Sequence, residues 1–369
     1  MKIIHVLSGL TKGGGERIVA ELANKAVEKG DEVTIVAGWH VDPAYMQNSI
    51  DPRVNIKFVS KKKFGAYLKI MPWILRNKKW ICSHDVLHCH LTYGAVFGSI
   101  ANFILKKISR KKTPVIVETY HAVGMPIPKF NRWAHSRAVL MRNGLVLMAK
   151  DPYWENFIRM HPRLKVSIIP NGISLPGSKT EIISSTDPKK KGKYLVGTIS
   201  MLRPDRKPTL YVPIFQDIHK AFENNVDFIL GGGGIEFDKI KELIEAAGLS
   251  AHVQMPGLVN DPPAVISNMD IYVSVCVGET AGISMVEAAL CKVPVVGIQM
   301  TEDYQAKPGD WFWSHIDTRE VAKKIIFLLQ NLEERKALAE QQYKYVNENL
   351  TTEAMYGSYA SFYKELLRS

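Results

Sequence analysis

The chain of 369 residues is poor in cysteine, and its cysteines form no C-x-x-C pair. Four thiols are too few to cross-link a chain of this length, which argues against a disulfide-stapled secreted fold and indicates a reducing compartment. They are Cys82, Cys89, Cys276 and Cys291.

Long apolar runs are also absent. No uninterrupted stretch reaches the roughly 18 apolar residues of a membrane-spanning helix. The first segment, residues 1–7, has a single lysine and a short apolar run that ends before Gly9, which is typical of a buried first strand and not of a signal peptide. We therefore expect a protein that is soluble or bound peripherally to a membrane.

Acidic residues are scarce in one half of the chain only. Residues 1–172 contain 27 Lys and Arg against 11 Asp and Glu, which gives this half a net charge of +16. The other 197 residues contain 21 against 25, a balance of −4, within a net charge of +12. A basic half joined to a mildly acidic half indicates that the first half meets an anionic partner.

Apolar runs alternate with amphipathic segments in two series, within an ordinary globular composition of 46% hydrophobic and 23% charged residues. Buried strands that alternate with helices predict β-α-β units and a parallel sheet. The predicted strands cover residues 3–7, 33–37, 86–87, 115–117, 144–148 and 166–169, then 194–199, 227–230, 252–255, 271–275 and 293–297. The carboxyl end is predicted to be helical over residues 318–349 and 352–367.

A stretch rich in linker residues, residues 173–193, separates the two series. We therefore predict an α/β fold of two Rossmann-like domains that face each other across a ligand cleft. The first domain would comprise residues 1–172 and the second residues 194–345. Residues 346–369 would form a helix that crosses back to the first domain.

Gly13, Gly14 and Gly15 follow the first strand and open a helix. Glycines let the backbone approach a phosphate closely, and a helix start offers unpaired N–H groups and a positive dipole. A tight strand-to-helix turn would explain the same residues, and the loop lacks the dinucleotide pattern G-x-G-x-x-G. Both interpretations stay open at this point.

Two carboxylates, Glu279 and Glu287, lie eight positions apart after a predicted buried strand. At about 3.6 residues per turn this spacing allows both to lie on one helix face. Such a pair suits hydrogen bonding to the vicinal hydroxyls of a ribose or a sugar. One helix-capping Glu and one surface Glu would also fit, but the apolar neighbours Val286 and Ala288 argue against a solvated Glu287.

Together with shorter motifs, this pair resembles the signature of the family-4 retaining glycosyltransferases of the GT-B fold (glycosyl transferases group 1). The matching motifs occur over most of the chain and in the family's order. They are Gly13-Gly14-x-Glu16, Asp85-Val-Leu-His-Cys-His90, Ile169-Pro-Asn-Gly-Ile173, Gly231-Gly232-Gly233, the pair Glu279 and Glu287, and Pro294-Val-Val-Gly297.

The resemblance implies a role for each residue of a donor site. Glu287 would hold the ribose of the nucleotide, and Glu279 would bind hydroxyls of the donor sugar. His121, which follows a strand of the first domain, would lie beside the anomeric carbon, so His121 and Glu279 are the implied catalytic residues. The implied nucleotide-sugar-binding residues are Gly13, Gly14, Arg203, Arg206, Lys207, Ala281, Gly282, Ile283 and Glu287.

The phosphate-binding segment departs from the family's pattern. Residues 197–207 resemble that segment, and Arg206 or Lys207 would be its usual lysine. Met201 stands where the family usually has an arginine, and Arg203 is the candidate replacement. The phosphate clamp is therefore the part of the site that the resemblance supports least.

His88 and His90 invite a metal interpretation, because alternate residues of a strand share a face. No further ligand cluster is evident to complete a site, so we expect no metal and a histidine near the acceptor instead. The sequence also contains no Asp-x-Asp motif, which fits a metal-independent donor site. The expected donor is a UDP- or GDP-sugar, used as a substrate without any cofactor.

Residues 61–81 interleave aromatic, aliphatic and basic side chains. Segments of this kind can bury an apolar face at a lipid boundary while Lys and Arg meet anionic headgroups. A packed helix with a solvated basic face and a nucleic-acid surface are the other interpretations. We favour an anionic membrane surface and no nucleic-acid partner, since the second half of the chain is acidic.

We therefore expect a retaining, metal-independent hexosyltransferase that moves a sugar from a nucleotide sugar to a glycan or lipid-linked acceptor. Its setting would be surface polysaccharide or lipopolysaccharide assembly, on the cytoplasmic, inner face of the cell membrane. A nucleotide-sugar epimerase on the same fold, or a catalytically weak nucleotide-sugar-binding partner protein, is the alternative.

Overall fold

A computed structural model gives the fold of the protein and describes residues 1–10, 13–39, 49–108, 113–121, 129–175, 192–277, 282–299 and 312–369. The chain divides into two compact units. The first is Met1–Ser174 with Thr351–Ser369, and the second is Leu175–Leu350. Each unit is a parallel sheet with helices between its strands, so the predicted two-domain α/β class is confirmed.

The first unit contains a seven-stranded parallel sheet in the order β3-β2-β1-β4-β5-β6-β7. Its strands are β1 (Lys2–Leu7), β2 (Glu32–Ala37), β3 (Asn55–Phe58), β4 (Val86–His90), β5 (Val115–Tyr120), β6 (Gly144–Leu147) and β7 (Lys165–Ile168). The sequence did not predict β3, because this edge strand is mostly solvent-exposed and lacks the buried apolar run that marks the others.

The second unit contains a six-stranded parallel sheet in the order β10-β9-β8-β11-β12-β13. Its strands are β8 (Tyr194–Ile199), β9 (Val226–Gly231), β10 (Val253–Gly257), β11 (Ile271–Val277), β12 (Val295–Gln299) and β13 (Trp313–His315). Apolar side chains of β8, β9, β11 and β12 form the core of this unit with the helices that flank them.

Helices connect the strands in both units. They are α1 (Gly14–Glu28), α2 (Ile70–Ile81), α3 (Leu91–Ile108), α4 (Lys129–Val139), α5 (Pro152–Met160), α6 (Tyr211–Phe222), α7 (Phe237–Ala246), α8 (Pro262–Ile266), α9 (Ile283–Leu290), α10 (Thr318–Gln330), α11 (Leu332–Asn349) and α12 (Thr352–Arg368). Among the described residues, no helix combines the length and the apolar character needed to cross a membrane.

The helix predicted over residues 318–349 is in fact two helices. Asn331 has φ −120° and ψ 88°, so the chain is extended between α10 and α11. The side chain of Asp317 accepts a hydrogen bond from the backbone N–H of Arg319 and caps α10. Thr351 caps α12 in the same way by accepting from the N–H of Ala354.

Helix α12 belongs to the first unit, from Thr351 onward, where the prediction began the returning segment at residue 346. The hydroxyl of Thr352 donates to Glu21 Oε2 over 2.8 Å, and the hydroxyl of Tyr356 donates to Asp31 Oδ2 over 2.8 Å. These bonds tie α12 to the middle of α1 and to the turn between α1 and β2. The first unit is therefore completed by a segment that follows the whole of the second unit in the chain.

Each sheet reverses its strand order at one point. In the first sheet the reversal lies between β1 and β4, and in the second it lies between β8 and β11. In open parallel sheets, ligands bind beyond the carboxyl ends of the strands at such switch points. The loops that follow β1, β4, β8 and β11 are therefore where a site is expected in each unit.

Candidate functional site

The predicted glycine loop opens α1 at the carboxyl end of β1. Gly13 is the N-cap residue with extended backbone (φ −85°, ψ 155°), and no side chain caps the helix there. The Glu16 carboxylate folds back so closely that a Cβ atom at Gly13 would collide with it. Burial raises the pKa of Glu16 above its usual value. An acidic group thus already lies against the positive end of this helix dipole, where an anion is favoured.

His121 directly follows β5 and is partly buried at the carboxyl edge of the first sheet. Burial lowers its pKa to about 4, so its imidazole is neutral near pH 7. A neutral imidazole has one N–H donor and one bare nitrogen acceptor. Its Nε2 lies 3.3 Å from Nδ1 of His90, the last residue of β4. The structure therefore brings the predicted catalytic histidine next to the predicted H-x-H motif.

A third histidine, His5, lies beside this motif. His5 pairs with His88 across the adjacent strands β1 and β4, and its Nδ1 is 3.0 Å from Nε2 of His90. Ring nitrogens of His5, His88 and His90 lie within 4.8 Å of one another. The expectation that no third potential ligand is near was wrong, because the partner comes from another strand. The signal that was missed is a single polar residue within the apolar run of β1.

Most ring nitrogens of this histidine cluster are already engaged in hydrogen bonds. His88 Nε2 is 2.8 Å from the Thr119 hydroxyl, and His88 Nδ1 is 2.6 Å from the Tyr363 hydroxyl. Both nitrogens of His90 are taken by His5 and His121. The cluster is thus a hydrogen-bonded network between β1, β4, β5 and α12, and a metal ion would have to displace several of these bonds.

Strand β5 is fixed below His121 by a buried ion network. Glu118 Oε2 accepts from Arg142 Nε over 2.8 Å, and its Oε1 lies 2.6 Å from His135 Nε2. Burial alone would raise the pKa of Glu118, but the His135 hydrogen bond and the Arg142 charge outweigh it and lower the pKa. The paired charges therefore hold the strand that ends at His121.

In the second unit, Glu287 lies on α9, the helix that follows β11 at the switch point. Its side chain is only 1% exposed, although a carboxylate is rarely buried without a purpose. Helix α9 begins after Gly282, where no side-chain cap is found among the described residues, and a helix start is a place where anions can bind. Gly282, Ile283 and Glu287 are thus assembled on one short element. Glu279 and Ala281 lie outside the described residues.

Helix α9 is anchored by a buried phenol beneath it. The Tyr272 hydroxyl donates to the carbonyl of Ile199 over 2.9 Å and also interacts with Ser284 in the first turn of α9. Burial raises the pKa of Tyr272, and the hydrogen bond from Thr198 partly offsets this effect. The phenol joins β8, β11 and α9, so the end of β8 and the start of α9 are held together.

The predicted phosphate-binding residues follow β8. Arg203 makes a double contact with Asp205, with Nε to Oδ1 at 3.1 Å and Nη2 to Oδ2 at 2.8 Å. Arg206 Nε is 3.8 Å from the same carboxylate, and Lys207 has a left-handed backbone with φ 47°. Met201 is 48% exposed. Arg203 is therefore paired with Asp205 in this structure, and its replacement of the arginine that the family has at Met201 stays a prediction.

The glycine-rich segment after β9 is packed against this loop. The N–H of Ser200 donates to Gly231 and that of Leu202 donates to Gly233, both over 2.9 Å. Gly232 has φ +131°, and a Cβ atom there would collide with the carbonyl of Ser200. Only glycine allows the two backbones to approach so closely. The segment therefore supports the loop that carries the candidate phosphate-binding residues.

The basic, aromatic segment of residues 61–81 divides into two parts. Helix α2 buries Ile70, Ile74 and Ile81, as a packed helix does. Most of the residues before it are exposed, with Phe64 at 95% and Leu68 at 84%, whereas Ala66 is buried. The exposed pair follows three exposed lysines, residues 61–63. The segment thus combines a packed helix with an apolar, basic surface patch, which we call the 61–68 patch.

Sequence comparison defines the class to which this fold and these loops belong. The sequence model of the glycosyl transferases group 1 matches residues 179–345, and that of glycosyltransferase family 4 matches residues 12–175. The chain belongs to the family-4 glycosyltransferases of the GT-B fold, as its motifs indicated.

Individual relatives are distant. The poly(ribitol-phosphate) alpha-N-acetylglucosaminyltransferase of Staphylococcus aureus is 27% identical over 141 residues, which are 37% of this chain and 28% of that protein. The phosphatidylinositol N-acetylglucosaminyltransferase GPI3 subunit of Saccharomyces cerevisiae is 28% identical over 304 residues, 78% of this chain and 65% of that protein. The chain thus spans less than two thirds of the length of either relative.

A solved structure shows the same fold. The crystal structure of Anabaena Alr3699/HepE in complex with UDP and glucose superposes with a TM-score of 0.77 at 17% identity. The match covers 99% of this chain and 100% of that one. At this level of identity the likeness establishes the GT-B fold.

Proposed function

We propose that the protein is a retaining glycosyltransferase that moves a sugar from a nucleotide-sugar donor to a glycan or lipid-linked acceptor. The observation that carries the proposal is the buried Glu287 on α9, at the switch point of the second sheet and beside an uncapped helix start. A carboxylate so placed can accept hydrogen bonds from both hydroxyls of a ribose. The family to which the chain belongs supports the same assignment.

The donor nucleotide is proposed to bind the second unit. The N–H groups at the start of α9 suit the diphosphate, because a helix amino terminus favours an anion. Arg206 and Lys207 lie in the loop after β8 and would neutralise its charge. A uridine nucleotide is our first choice, since the similar Anabaena structure was solved with UDP.

The reaction needs little acid–base chemistry from the protein. The bond between the anomeric carbon and the diphosphate oxygen breaks while the acceptor oxygen bonds to the same face of the sugar. The acceptor's proton passes to the departing diphosphate, which serves as the base. The protein contributes orientation and stabilisation of the negative charge on the leaving group. His121 and Glu279 would contact the sugar, and no metal ion or cofactor is required.

The acceptor is proposed to be anionic or membrane-linked. The first half of the chain has a balance of +16, and its 61–68 patch exposes two large apolar side chains beside three lysines. Two relatives are named for poly(ribitol-phosphate) and phosphatidylinositol, and both of these compounds carry phosphate. We propose peripheral attachment to the inner face of the cell membrane and a role in surface polysaccharide or lipopolysaccharide assembly.

A ligand panel followed by a product assay tests this function. Thermal unfolding is measured with UDP, GDP, ADP and their common sugars, each with and without magnesium. We expect a rise in the melting temperature with one nucleotide that does not depend on magnesium. Transfer to an extract of lipid-linked glycans, with the product's anomeric configuration read by NMR, should show the donor's configuration. An inverted product, or release of free altered sugar without an acceptor, would overturn the proposal.

A second candidate is a catalytically weak nucleotide-sugar-binding partner protein. Met201 and the Arg203–Asp205 pair favour it, because both weaken the case for a complete phosphate clamp. The Met201→Arg variant separates the two candidates. An active transferase should gain little from this change, whereas a weak binder should gain both affinity for the nucleotide and measurable turnover.

A further inference from the structure

Three imidazoles form a continuous series that ends at His121. His5 Nδ1 is 3.0 Å from His90 Nε2, and His90 Nδ1 is 3.3 Å from His121 Nε2. His5 and His90 are completely buried, and His121 is the member that reaches the surface.

The two hydrogen bonds of this series must be donated in the same direction along it. Burial lowers the pKa values of all three residues, so the rings are neutral near pH 7. A neutral imidazole has a single N–H, and His90 uses both of its nitrogens within the series. If His90 donates to His121 it must accept from His5, and if it accepts from His121 it must donate to His5. The tautomers of the two end residues are therefore coupled through His90.

The buried end of the series selects the direction. His5 Nε2 has no hydrogen-bond partner among the described residues. If the bonds ran toward His5, this nitrogen would carry a proton and would be a buried N–H without an acceptor. Orphaned buried N–H groups are rare, because a buried donor without an acceptor loses its hydrogen bonds to water and gains none in return. The favoured direction runs toward His121, which then accepts at Nε2 and carries its proton on Nδ1.

Helix α12 keeps the central ring in place. The His88 ring lies 3.8 Å from the His90 ring, measured between centroids. His88 is held at both nitrogens, by the hydroxyl of Tyr363 on α12 and by that of Thr119, which contacts Tyr359 of the same helix over 2.9 Å. With His88 fixed, His90 cannot turn away from His121 without losing the ring contact.

We propose that His90, supported by His5, is a positioning residue that holds neutral His121 in the Nδ1–H tautomer. His121 then presents an N–H donor, and not a bare nitrogen, to an oxygen atom of the nucleotide sugar. The identity of this oxygen rests on the proposed function, whereas the tautomer itself is a property of the protein without ligand.

The tautomer can be read by NMR of the protein labelled with ¹⁵N-histidine, because protonated and bare ring nitrogens resonate in separate ranges. The His121→Gln variant assigns the signals. We expect a protonated Nδ1 and a bare Nε2 on His121 in the free protein. His90→Phe should remove this preference, whereas His90→Gln, whose amide can still donate to Nε2, should retain it. His84→Phe, at a buried histidine whose ring contacts Trp80, is the matched control and should change nothing.

A second variant covers the case in which His90→Phe does not fold. His5→Phe leaves the contact between His90 and His121 but removes the donor at the buried end, so the Nδ1–H preference should weaken. Turnover supplies an independent measurement. Loss of one oriented hydrogen bond should lower kcat about tenfold in His90→Phe with little change in KM, and His90→Gln should recover most of it.

The outcomes separate the two proposals. A wild-type His121 protonated at Nε2, or a tautomer unchanged in His90→Phe and His5→Phe, would overturn the positioning role whatever the activity. Absence of turnover in the wild type with every donor and acceptor would count against the transferase function alone, since the NMR result does not depend on it.

Discussion

The side-chain amide of Gln342 satisfies both peptide groups of Val295. Its Oε1 accepts from the Val295 N–H over 2.6 Å, and its Nε2 donates to the Val295 carbonyl over 2.9 Å. Gln342 is fully buried on α11, and Val295 begins β12. The glutamine side chain therefore makes the two hydrogen bonds that a neighbouring strand would make. It joins α11 to the sheet of the second unit.

Replacing Gln342 by Leu should destabilise the second unit by about 2–4 kcal/mol, because two buried backbone groups would lose their partners. Chemical denaturation followed by circular dichroism measures the change. Gln341→Leu is the matched control, since Gln341 is the exposed neighbour in the same helix and should be nearly neutral. Equal effects of the two substitutions would show that the amide pairing does not stabilise the sheet.

Glu287→Ala should weaken nucleotide binding by about tenfold to a hundredfold, because hydrogen bonds to a charged group contribute about 1.5–3 kcal/mol. Isothermal calorimetry with the nucleotide identified by the thermal panel measures the effect. Glu287→Gln should lose less affinity for the nucleotide, since its amide oxygen can still accept one hydrogen bond. Glu242→Ala, on an exposed position of α7, controls for loss of negative charge. An unchanged affinity in Glu287→Ala would remove this residue from the site.

Stability should fall as the pH drops below about 6.5. Burial lowers the pKa of His5 to about 3, so between pH 6.5 and 3 the unfolded chain binds a proton that the folded chain does not. By linkage, stability is then lost as the pH falls, by about 2 kcal/mol for such a residue between pH 7 and 5. Burial lowers the pKa values of His88, His90 and His121 as well, so they act in the same direction.

Denaturation curves at several pH values test this acid sensitivity. The slope of unfolding free energy against pH measures how many more protons the unfolded chain binds than the folded chain. In this window His5→Phe should reduce that number by about one. The contribution of Glu118, whose pKa is lowered, has the same sign but a separate window, because it is fully present above about pH 4.5 and is lost only at still lower pH. A slope that is identical in His5→Phe and the wild type would contradict the assignment of His5 as a buried neutral base.

The 61–68 patch should bind anionic vesicles. Replacing Lys61, Lys62 and Lys63 by Gln should weaken sedimentation with phosphatidylserine vesicles by up to about a hundredfold, at about 1 kcal/mol per lysine near the surface. The effect should shrink at high salt. Replacing Phe64 and Leu68 by Ser should weaken binding at any salt concentration, because it removes apolar contact.

A charge-matched control uses exposed lysines of the second unit, namely Lys220, Lys239 and Lys241. Their replacement by Gln lowers the net charge equally and should leave vesicle binding intact. If both triple variants sediment alike, attachment follows the overall charge and the patch has no specific role.

Gly232→Ala should destabilise the second unit by about 1–3 kcal/mol and weaken nucleotide binding, because a Cβ atom would push the Ser200 carbonyl away. Gly248→Ala is the control: this residue also has a positive φ (+73°), but nothing lies within 4 Å of its Cβ position. Gly248→Ala should lower the free energy of unfolding by about 1 kcal/mol or less and leave nucleotide binding unchanged. Similar affinities in the two variants would show that the Ser200 loop does not contact the ligand.

The sequence predicted the elements whose side chains are buried on both faces. Strands such as β1 and β8 consist mainly of buried, largely apolar residues, as is typical of a parallel sheet covered on both faces. The edge strands β3 and β13 were missed, since they are short and partly exposed. The break at Asn331 was missed because apolar spacing continues across it, and only the local backbone angles end the helix.

The candidate site was predictable where it consists of contiguous motifs. Gly13, Gly14 and Glu287 were selected as candidates because short spacing and flanking residues mark them, and their roles stay predictions. The coupling of His5 to His90 was not predictable, since it depends on strand register between residues 85 positions apart. The bond from Tyr363 to His88 spans 275 positions and requires knowledge of where α12 packs.

The position of α12 has a consequence for synthesis on the ribosome. All strands of the first unit emerge early, but the helix that covers His88 and Thr119 is made only after residues 175–350. The second unit can therefore fold before the first unit is complete. During that time the face of the first unit that α12 will cover is exposed. The imidazole of His88 and the hydroxyl of Thr119, which α12 covers in the finished protein, then stay in contact with water until this last helix packs.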